Sequence, residues 1–494
     1  MHLSELIKNI GVLKVEGNDR VDIKGIAYDS RAVEPGFLFV AIEGFKTDGH
    51  NYAARAVEAG APAVVVQKEV DLPAGVTRVL VENTRVALAR ASAAFYGHPS
   101  QKMRVVGVTG TNGKTTTTYL ISSIYRAAGE KVGLIGTIAN YIGDRKLDVS
   151  HTTPESADLQ KLLREMADEG VTVAVIEVSS HALSLERVTG CQFDVGVFTN
   201  LTQDHLDFHR DMEDYLGAKA RLFRGIDPGA EKWPRYVVVN RDDPYADRII
   251  QGSRVPVVTY GLSPGADVRA LDIKITGQGN SFTVAGRHGS VKLSMKLTGL
   301  FNVYNSLAAF AVGVTAGFNP DLVAKALETA GGVSGRFELV DCGQDFTVVV
   351  DYAHTPDGLE NILKAARSVT SGRLINVFGC GGDRDRTKRP IMGEIAGRYS
   401  DLPIITSDNP RTEDPLRIIE DVEEGIKRVL KPGQYRVMPD RREAIRAAIT
   451  EAKSGDMVLI AGKGHEDYQI IGRQKFHFDD REEARKVLQS LSNK

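Results

Sequence analysis

Residues 104–128 constrain the chain more than any other stretch. Arg104-Val105-Val106-Gly107-Val108 reads as a strand buried on both faces. Thr109-Gly110-Thr111-Asn112-Gly113-Lys114-Thr115-Thr116 reads as a glycine-rich turn, and the residues from about 115 to 128 as a helix. A strand that feeds a helix in this way belongs in a parallel sheet covered by helices. The turn itself has phosphate chemistry. With few side chains in the way, consecutive backbone N–H groups converge on phosphate oxygens at a helix N-terminus. Lys114 would place a compact positive charge on the β- and γ-phosphates, and the Thr115 hydroxyl would reach Mg²⁺. The usual spacing has glycine where Val108 stands, whereas here the glycines fall at 107 and 110. That shift marks a subfamily of phosphate-binding loops. The plain alternative is a tight strand-to-helix turn beside an unrelated lysine.

The rest of the chain alternates strands and helices in three segments, as its 494 residues suggest at about 150 per domain. The first, 1–98, has apolar runs at 37–42 and 63–66, alanine-rich helical stretches at 51–60 and 84–96, and a breaker at Gly97-His98-Pro99-Ser100. Leu3, Leu6, Ile7 and Ile10 space as one face of a short N-terminal helix. The second, 99–332, carries the loop, further buried runs at 171–178, 193–199 and 235–239, and an alternating, antiparallel pattern over 267–297. The third, 333–494, has its clearest strands at 346–350, 374–378 and 457–460. The fold class is therefore α/β in three domains, the central one a parallel sheet with a small antiparallel patch.

Composition excludes several partners. Lys and Arg number 62 against 64 Asp and Glu, so no basic field favours nucleic acid. No apolar run approaches the ~20 residues that span a bilayer, and the N-terminus lacks a signal-peptide core. Cys191, Cys342 and Cys380 are scattered and odd in number, offering no disulfide or metal framework. A cytoplasmic protein without membrane insertion is expected.

Seven motifs then occur in order. They are the loop itself, Glu177-Val178-Ser179-Ser180-His181, the stretch Asn200 to Asp207, Tyr215-Leu216-Gly217-Ala218-Lys219, Gly299 to Asn305, Gly335-Arg336-Phe337-Glu338 with Asp351-Tyr352-Ala353-His354-Thr355-Pro356, and Gly462-Lys463-Gly464-His465-Glu466. Together they resemble the Mur ligases, ATP-dependent amide-bond-forming enzymes of peptidoglycan synthesis, over essentially the whole chain. The resemblance implies a nucleotide-sugar-binding first domain, a central ATP-binding domain and a Rossmann-like third domain that takes the incoming amino acid. It implies one chain acting as a monomer on ATP, UDP-N-acetylmuramoyl-L-alanyl-D-glutamate and an amino acid.

Residue by residue, the resemblance gives Gly110, Thr111, Asn112, Gly113, Lys114, Thr115 and Thr116 to the ATP phosphates. It gives Asn302 to the adenine with Asn305 in support, Arg336 to the phosphates, and Asp351 to the ribose. Two Mg²⁺ ions would be held by Thr115, Glu177, His205 and Lys219, the last as a CO₂-derived carbamate. From side-chain chemistry alone His205 is a surface or hydrogen-bonding histidine, because Mg²⁺ prefers oxygen, and Lys219 is a solvated helix lysine. Lys114, Glu177, His205, Lys219 and Arg336 form the catalytic set. His354 helps position the third domain and is not a base. Ser30 would touch the nucleotide sugar, and Thr152, Thr153, Ser179 and Arg187 its dipeptide.

Asp408-Asn409-Pro410-Arg411 is the sequence associated with family members that add meso-2,6-diaminopimelate. Diaminopimelate is in effect lysine with an extra carboxylate, which a guanidinium fork can bind bidentately. Arg411 would do so, with Arg384, Asp408, Asn409, Pro410, Gly462 and Glu466 completing the site. The alternatives are a simple Asn-Pro turn here and, for the whole chain, a lysine-adding relative, a folylpolyglutamate synthase-like ligase, or a P-loop ATPase that acts as a motor or switch.

Overall fold

The computed structural model describes residues 1–44, 47–149, 151–229 and 233–492. Three sheets follow one another along the chain. The first runs Val12–Glu16, Thr77–Val81, Ala63–Val66, Phe37–Val40, Gly25–Ala27, with only Val12–Glu16 antiparallel. Leu3, Leu6, Ile7 and Ile10 are buried as their spacing requires, although the helix is a single turn, Leu3–Leu6, continued as 3-10 over Ile7–Asn9. The helix Thr84–Phe95 starts at Asn83, whose side chain accepts from the backbone N–H groups of Arg85 and Val86.

The central sheet has eleven strands. Its parallel core runs Val257–Gly261, Tyr236–Asn240, Val195–Phe198, Arg104–Thr109, Val173–Glu177, Val132–Ile135. Four of these six strands are buried at every residue, with one partly buried residue in Arg104–Thr109 and two residues outside the buried class in Val257–Gly261. They therefore read in the sequence as continuous apolar runs. The antiparallel patch is Val268–Thr276, Gly279–Gly286 and Gly289–Met295. A second, smaller one lies on the opposite edge, Asn140–Ile142 with Arg145–Leu147 around a tight turn at Gly143-Asp144. Three-residue strands are too short to show alternation, so this hairpin left no signature in the sequence.

The third sheet runs Glu338–Leu339, Thr347–Asp351, Met457–Ala461, Leu374–Phe378, Leu402–Ile405, Arg436–Val437, parallel except for Glu338–Leu339. A separate hairpin, Tyr468–Ile471 with Gln474–His477, belongs to no larger sheet. Among the described residues no helix is long and apolar enough to cross a membrane. Arg104–Thr109 lies between Val173–Glu177 and Val195–Phe198 in the sheet, so the loops leaving the carboxyl ends of all three converge where open α/β sheets bind ligands.

Candidate active site

The glycine-rich turn leaves the central strand at Thr109 and enters the helix Lys114–Ala127. Two glycines are dictated by space. A Cβ on Gly110, at φ +151°, would lie 1.9 Å from Thr199 Oγ1, and one on Gly113, at φ +84°, 2.4 Å from Asn305 Oδ1. Asn200 and Thr199 brace the loop from the next strand's end. Asn112 N–H donates to Asn200 Oδ1 at 2.9 Å, and Thr199 Oγ1 to Asn112 O at 2.6 Å. Lys114 Nζ folds back onto the carbonyls of Gly110 (2.9 Å) and Thr111 (2.8 Å).

A chain of contacts starts from this helix. Arg336 Nη2 donates to Thr115 Oγ1 at 3.1 Å, and Thr115 Oγ1 donates to Glu177 Oε2 at 3.0 Å. Glu177, fully buried at the strand end, also accepts from Thr137 N–H and Thr137 Oγ1, each at 3.0 Å. Arg336 lies 4.5 Å from the Tyr352 ring centre, its Nε buried without a partner. Thr115 and Glu177 thus present oxygen donors side by side, the set Mg²⁺ takes.

Lys219, on the helix Met212–Arg224, is 1% exposed. Its Nζ donates to Gly110 O at 2.8 Å, the carbonyl that Lys114 also uses, and sits 4.4 Å from the Tyr215 ring centre. Burial, then the neighbouring Lys114 charge, hold its ammonium well below the ordinary value. It is not the solvated lysine that helix spacing alone suggests. His205, at φ +57°, packs edge-on against His181 with ring centres 4.8 Å apart, and its Nε2 lies 3.3 Å from Asp204 Oδ2.

These groups open on one cleft of about 1570 Å³ between the central and third domains. Asn112, Lys114, Thr115, Glu177, His205, Lys219, Asn305, Arg336 and Asp351 all border it. Asn302 does not. It is buried behind the wall, donating to Thr298 O and accepting from Asn305 Nδ2, and it is Asn305 that faces the loop. Burial raises the Asp351 carboxyl, which accepts the backbone N–H groups of Phe337 (2.7 Å) and Ala353 (2.8 Å). The domains meet across the cleft where Asn112 Nδ2 donates to Asp357 Oδ2 at 2.7 Å. His354 keeps its Nδ1–H on Tyr352 O (2.9 Å), and its own carbonyl accepts from Lys388 Nζ (2.9 Å).

The far end of the cleft carries both signs of charge. Glu466 Oε2 accepts from Asn409 Nδ2 (2.8 Å) and Lys463 Nζ (3.1 Å), and burial followed by the nearby Asp408 raises its carboxyl. Gly462 is needed because a Cβ there would lie 2.7 Å from Asp408 Oδ2. Arg411 Nη1 donates to Gly382 O at 2.7 Å, and its charge helps hold the Asp408 carboxyl down without a direct ion pair among the described residues. Arg384 is exposed on the rim, donating to Asp383 O. Pro410 lies outside the lining and contributes through the turn that sets Arg411.

The residues that the resemblance gives to the dipeptide group at another corner. Thr153 Oγ1 donates to Glu177 O (2.8 Å) and accepts from Ser179 N–H (3.2 Å), Arg187 Nη1 donates to Thr153 O (3.2 Å), and Thr152 Oγ1 lies 3.1 Å from Thr137 Oγ1. Ser30 is elsewhere, buried in a 3-10 turn of the first domain, and among the described residues none before Thr111 lines the cleft. The first domain reaches this corner through Arg85, whose Nη1 lies 3.2 Å from Glu155 Oε2, the atom that also pairs with Arg187 at 3.4 Å. Thr137, Glu155 and Asp357 lie outside the seven motifs. Glu155 stands at the start of the helix Ser156–Asp168, where its carboxylate accepts from Ser156 N–H, but Glu is not among the residue types that mark a helix start.

Family models match successive stretches of the chain: "Mur ligase family, catalytic domain" over 22–96, "Mur ligase middle domain" over 108–313, and "Mur ligase, glutamate ligase domain" over 335–464. Among curated relatives, the UDP-N-acetylmuramoyl-L-alanyl-D-glutamate–2,6-diaminopimelate ligase of Syntrophomonas wolfei is 49% identical over 488 residues, covering 99% of both chains. That of Geobacter metallireducens is 49% identical over 508 residues, covering 100% of this chain and 99% of the relative. A solved structure of a ligase of the same name superposes with a TM-score of 0.69 at 34% identity, over 100% of this chain and 99% of that one. Mycobacterium tuberculosis folylpolyglutamate synthase complexed with ADP shares the fold, with a TM-score of 0.61 at 18% identity over 76% of this chain and 91% of that one.

Proposed function

Because this chain belongs to the Mur ligase family, we infer from its cleft how it works as the ATP-dependent ligase that adds meso-2,6-diaminopimelate to UDP-N-acetylmuramoyl-L-alanyl-D-glutamate in peptidoglycan precursor synthesis. The observation that carries the reading is Arg411: a guanidinium in direct ion pair with no carboxylate among the described residues, in the cleft that the glycine-rich loop also borders.

The dipeptide's terminal carboxylate attacks the γ-phosphate of ATP, giving an acyl phosphate and ADP. The amine of diaminopimelate then attacks the acyl carbon, and the tetrahedral intermediate expels phosphate. The first step brings two anions together, so charge neutralisation dominates it. Lys114 moves from the loop carbonyls onto the phosphates, and Arg336, already on Thr115, offers its remaining N–H groups. Thr152, Thr153, Ser179 and Arg187 hold the dipeptide. Asp351 keeps lone pairs for the ribose hydroxyls, and Asn305, with Asn302 behind it, faces the nucleotide. Glu466 and Asp408 accept from the ammonium end of diaminopimelate, while Arg411 and Arg384 take its distal carboxylate. A lysine in that place would leave the Arg411 charge unpaired, which discriminates strongly.

Thr115, Glu177, His205 and a Lys219 carbamate would hold Mg²⁺, two ions in all, whose charge would lower the barrier between carboxylate and phosphate. Lys219 fits that modification, since CO₂ reacts with the neutral amine that burial favours here. The scattered free thiols accord with the cytoplasm. The first domain, a five-stranded sheet ahead of the loop, accords with the nucleotide sugar, with Ser30 as its contact.

The test is phosphate release with the nucleotide-sugar dipeptide and, separately, meso-diaminopimelate, L-lysine or no amine. Release is expected with diaminopimelate alone. Equal rates with lysine would refute the specificity, and release without the nucleotide sugar would refute the ligase.

A further inference from the structure

Arg411 has an unusual backbone. Its φ is +53°, a region in which a side chain other than glycine's is disfavoured by about 1–2 kcal/mol. Such a conformation persists only where its surroundings over-determine it. Here both backbone groups of Arg411 are taken by one element. Its N–H donates to Ile470 O at 3.0 Å, and its carbonyl accepts from Gly472 N–H at 2.7 Å, so that Arg411 pairs with Ile471 as an isolated parallel bridge. The same strand holds the two residues before Pro410. Ile470 N–H donates to Asn409 Oδ1 at 2.9 Å, and Gln469 Nε2 to Asp408 O at 2.7 Å.

The strand is Tyr468–Ile471, half of the hairpin with Gln474–His477 that joins no larger sheet. The outer strand is exposed at every residue, Phe476 included. A hairpin of this kind is marginally stable by itself, and its partner on the inner side is the Asp408–Arg411 turn. Thr412 is held by a different loop, its Oγ1 donating to Asp383 Oδ1 at 2.7 Å, so the hairpin's grip is on Arg411 itself. On the side-chain face the guanidinium has no slack. A Cβ on Gly381 would lie 2.9 Å from Arg411 Nη1, which is already bonded to Gly382 O. A backbone rotation at 411 would carry the fork away from that position.

We propose that the Tyr468–His477 hairpin is a positioning element for amino-acid selection: by clamping the backbone of Arg411 in the left-handed conformation, it aims the guanidinium at the carboxylate that distinguishes diaminopimelate from lysine. The proposal rests on the reading of Arg411 given above. It assigns selectivity to backbone hydrogen bonds from residues that contribute no charge to the ligand.

Two variants test it in the full-length enzyme. Gly472→Pro removes the N–H that binds Arg411 O and cannot adopt the φ of +62° found there. Gln469→Ala removes only a side-chain bond and leaves the turn intact. Each is made alone and with Arg411→Ala, and KM and kcat are measured for diaminopimelate and lysine, with KM for ATP and for the nucleotide sugar as controls. Gly472→Pro is expected to raise KM for diaminopimelate about 10-fold, and Gln469→Ala about 3-fold. Both should leave kcat at saturation and the two control KM values within about 2-fold, and neither should add to the loss of selectivity in the Arg411→Ala background. Losses that multiply in that background, or an unchanged KM for diaminopimelate in both variants, would overturn the hairpin's role while leaving Arg411 as the selecting group. An Arg411→Ala enzyme that still prefers diaminopimelate would instead sink the reading of Arg411, and the hairpin's role with it.

Discussion

Asp480→Asn should unfold the third domain more readily than any surface change, and the structure sets the size. Asp480 opens the helix Asp480–Ser492, and its carboxylate takes a two-pronged pair from Arg441, Nε to Oδ1 at 2.8 Å and Nη2 to Oδ2 at 2.7 Å. Both side chains are 0% exposed, and Arg441 Nη2 also donates to Ala461 O at 3.0 Å, next to Gly462 in the cleft lining. Neutralising one partner leaves a guanidinium in the interior with no counter-charge in hydrogen-bond reach, which costs about 3–5 kcal/mol. At about 2–4 °C per kcal/mol for a domain of this size, its calorimetric transition should fall by about 10 °C. The paired variant Arg441→Met with Asp480→Leu removes both charges at similar volume and should recover to within about 1 kcal/mol of the parent. It should nonetheless bind diaminopimelate more weakly, because the Arg441 charge also acts on Asp408 at the site. A cost below about 1 kcal/mol for Asp480→Asn, or a paired variant no more stable than the single one, would refute this account of the pair.

Two further outcomes follow from the same structure. Burial alone would raise the Asp456 carboxyl, but the backbone N–H and guanidinium of Arg373 and the N–H of Lys453 hold it below its ordinary 3.8. Its stabilisation is therefore full above that value and lost as the pH falls through the lowered one. Chemical denaturation should show the parent leading Asp456→Asn by about 1 kcal/mol at neutral pH, with the lead closing below about pH 4; a lead that grows in acid would contradict this. In ¹³C-bicarbonate, NMR should show a carbamate signal that Lys219→Ala abolishes, together with a fall of about 100-fold or more in ligation; an active parent without the signal would remove the carbamate.

Much of this was local enough to read from the chain. The strand, turn and helix at 104–128 are fixed by apolar runs, glycines and a Gly-Lys-Thr-Thr start, all within one unit, and Arg411 follows directly from the Asp-Asn-Pro turn. Such signals survive because a residue's φ/ψ preference and its neighbours three or four positions away are encoded side by side. Thr137 gave no signal, since its bonds to Glu177 join residues 40 apart. Asp357 meets Asn112 across 245 residues, and Glu155 matters because Arg85 arrives from another domain. Asn302 and Asn305 share a helix face in the sequence, yet only the packing of that helix on the loop decides which of them looks into the cleft.

The sequence by itself determined the parallel α/β units, the glycine-rich loop between strand and helix and the Asp-Asn-Pro turn that carries Arg411, because periodicity and short motifs act over a few residues. The tertiary structure decided that Lys219 is buried rather than solvated, that Ser30 stands away from the cleft, and that a hairpin some 60 residues downstream locks Arg411 in a strained backbone. Those outcomes depend on strand order and domain contact, where the free energy comes from desolvation and from hydrogen bonds between distant segments. No local pattern carries that information.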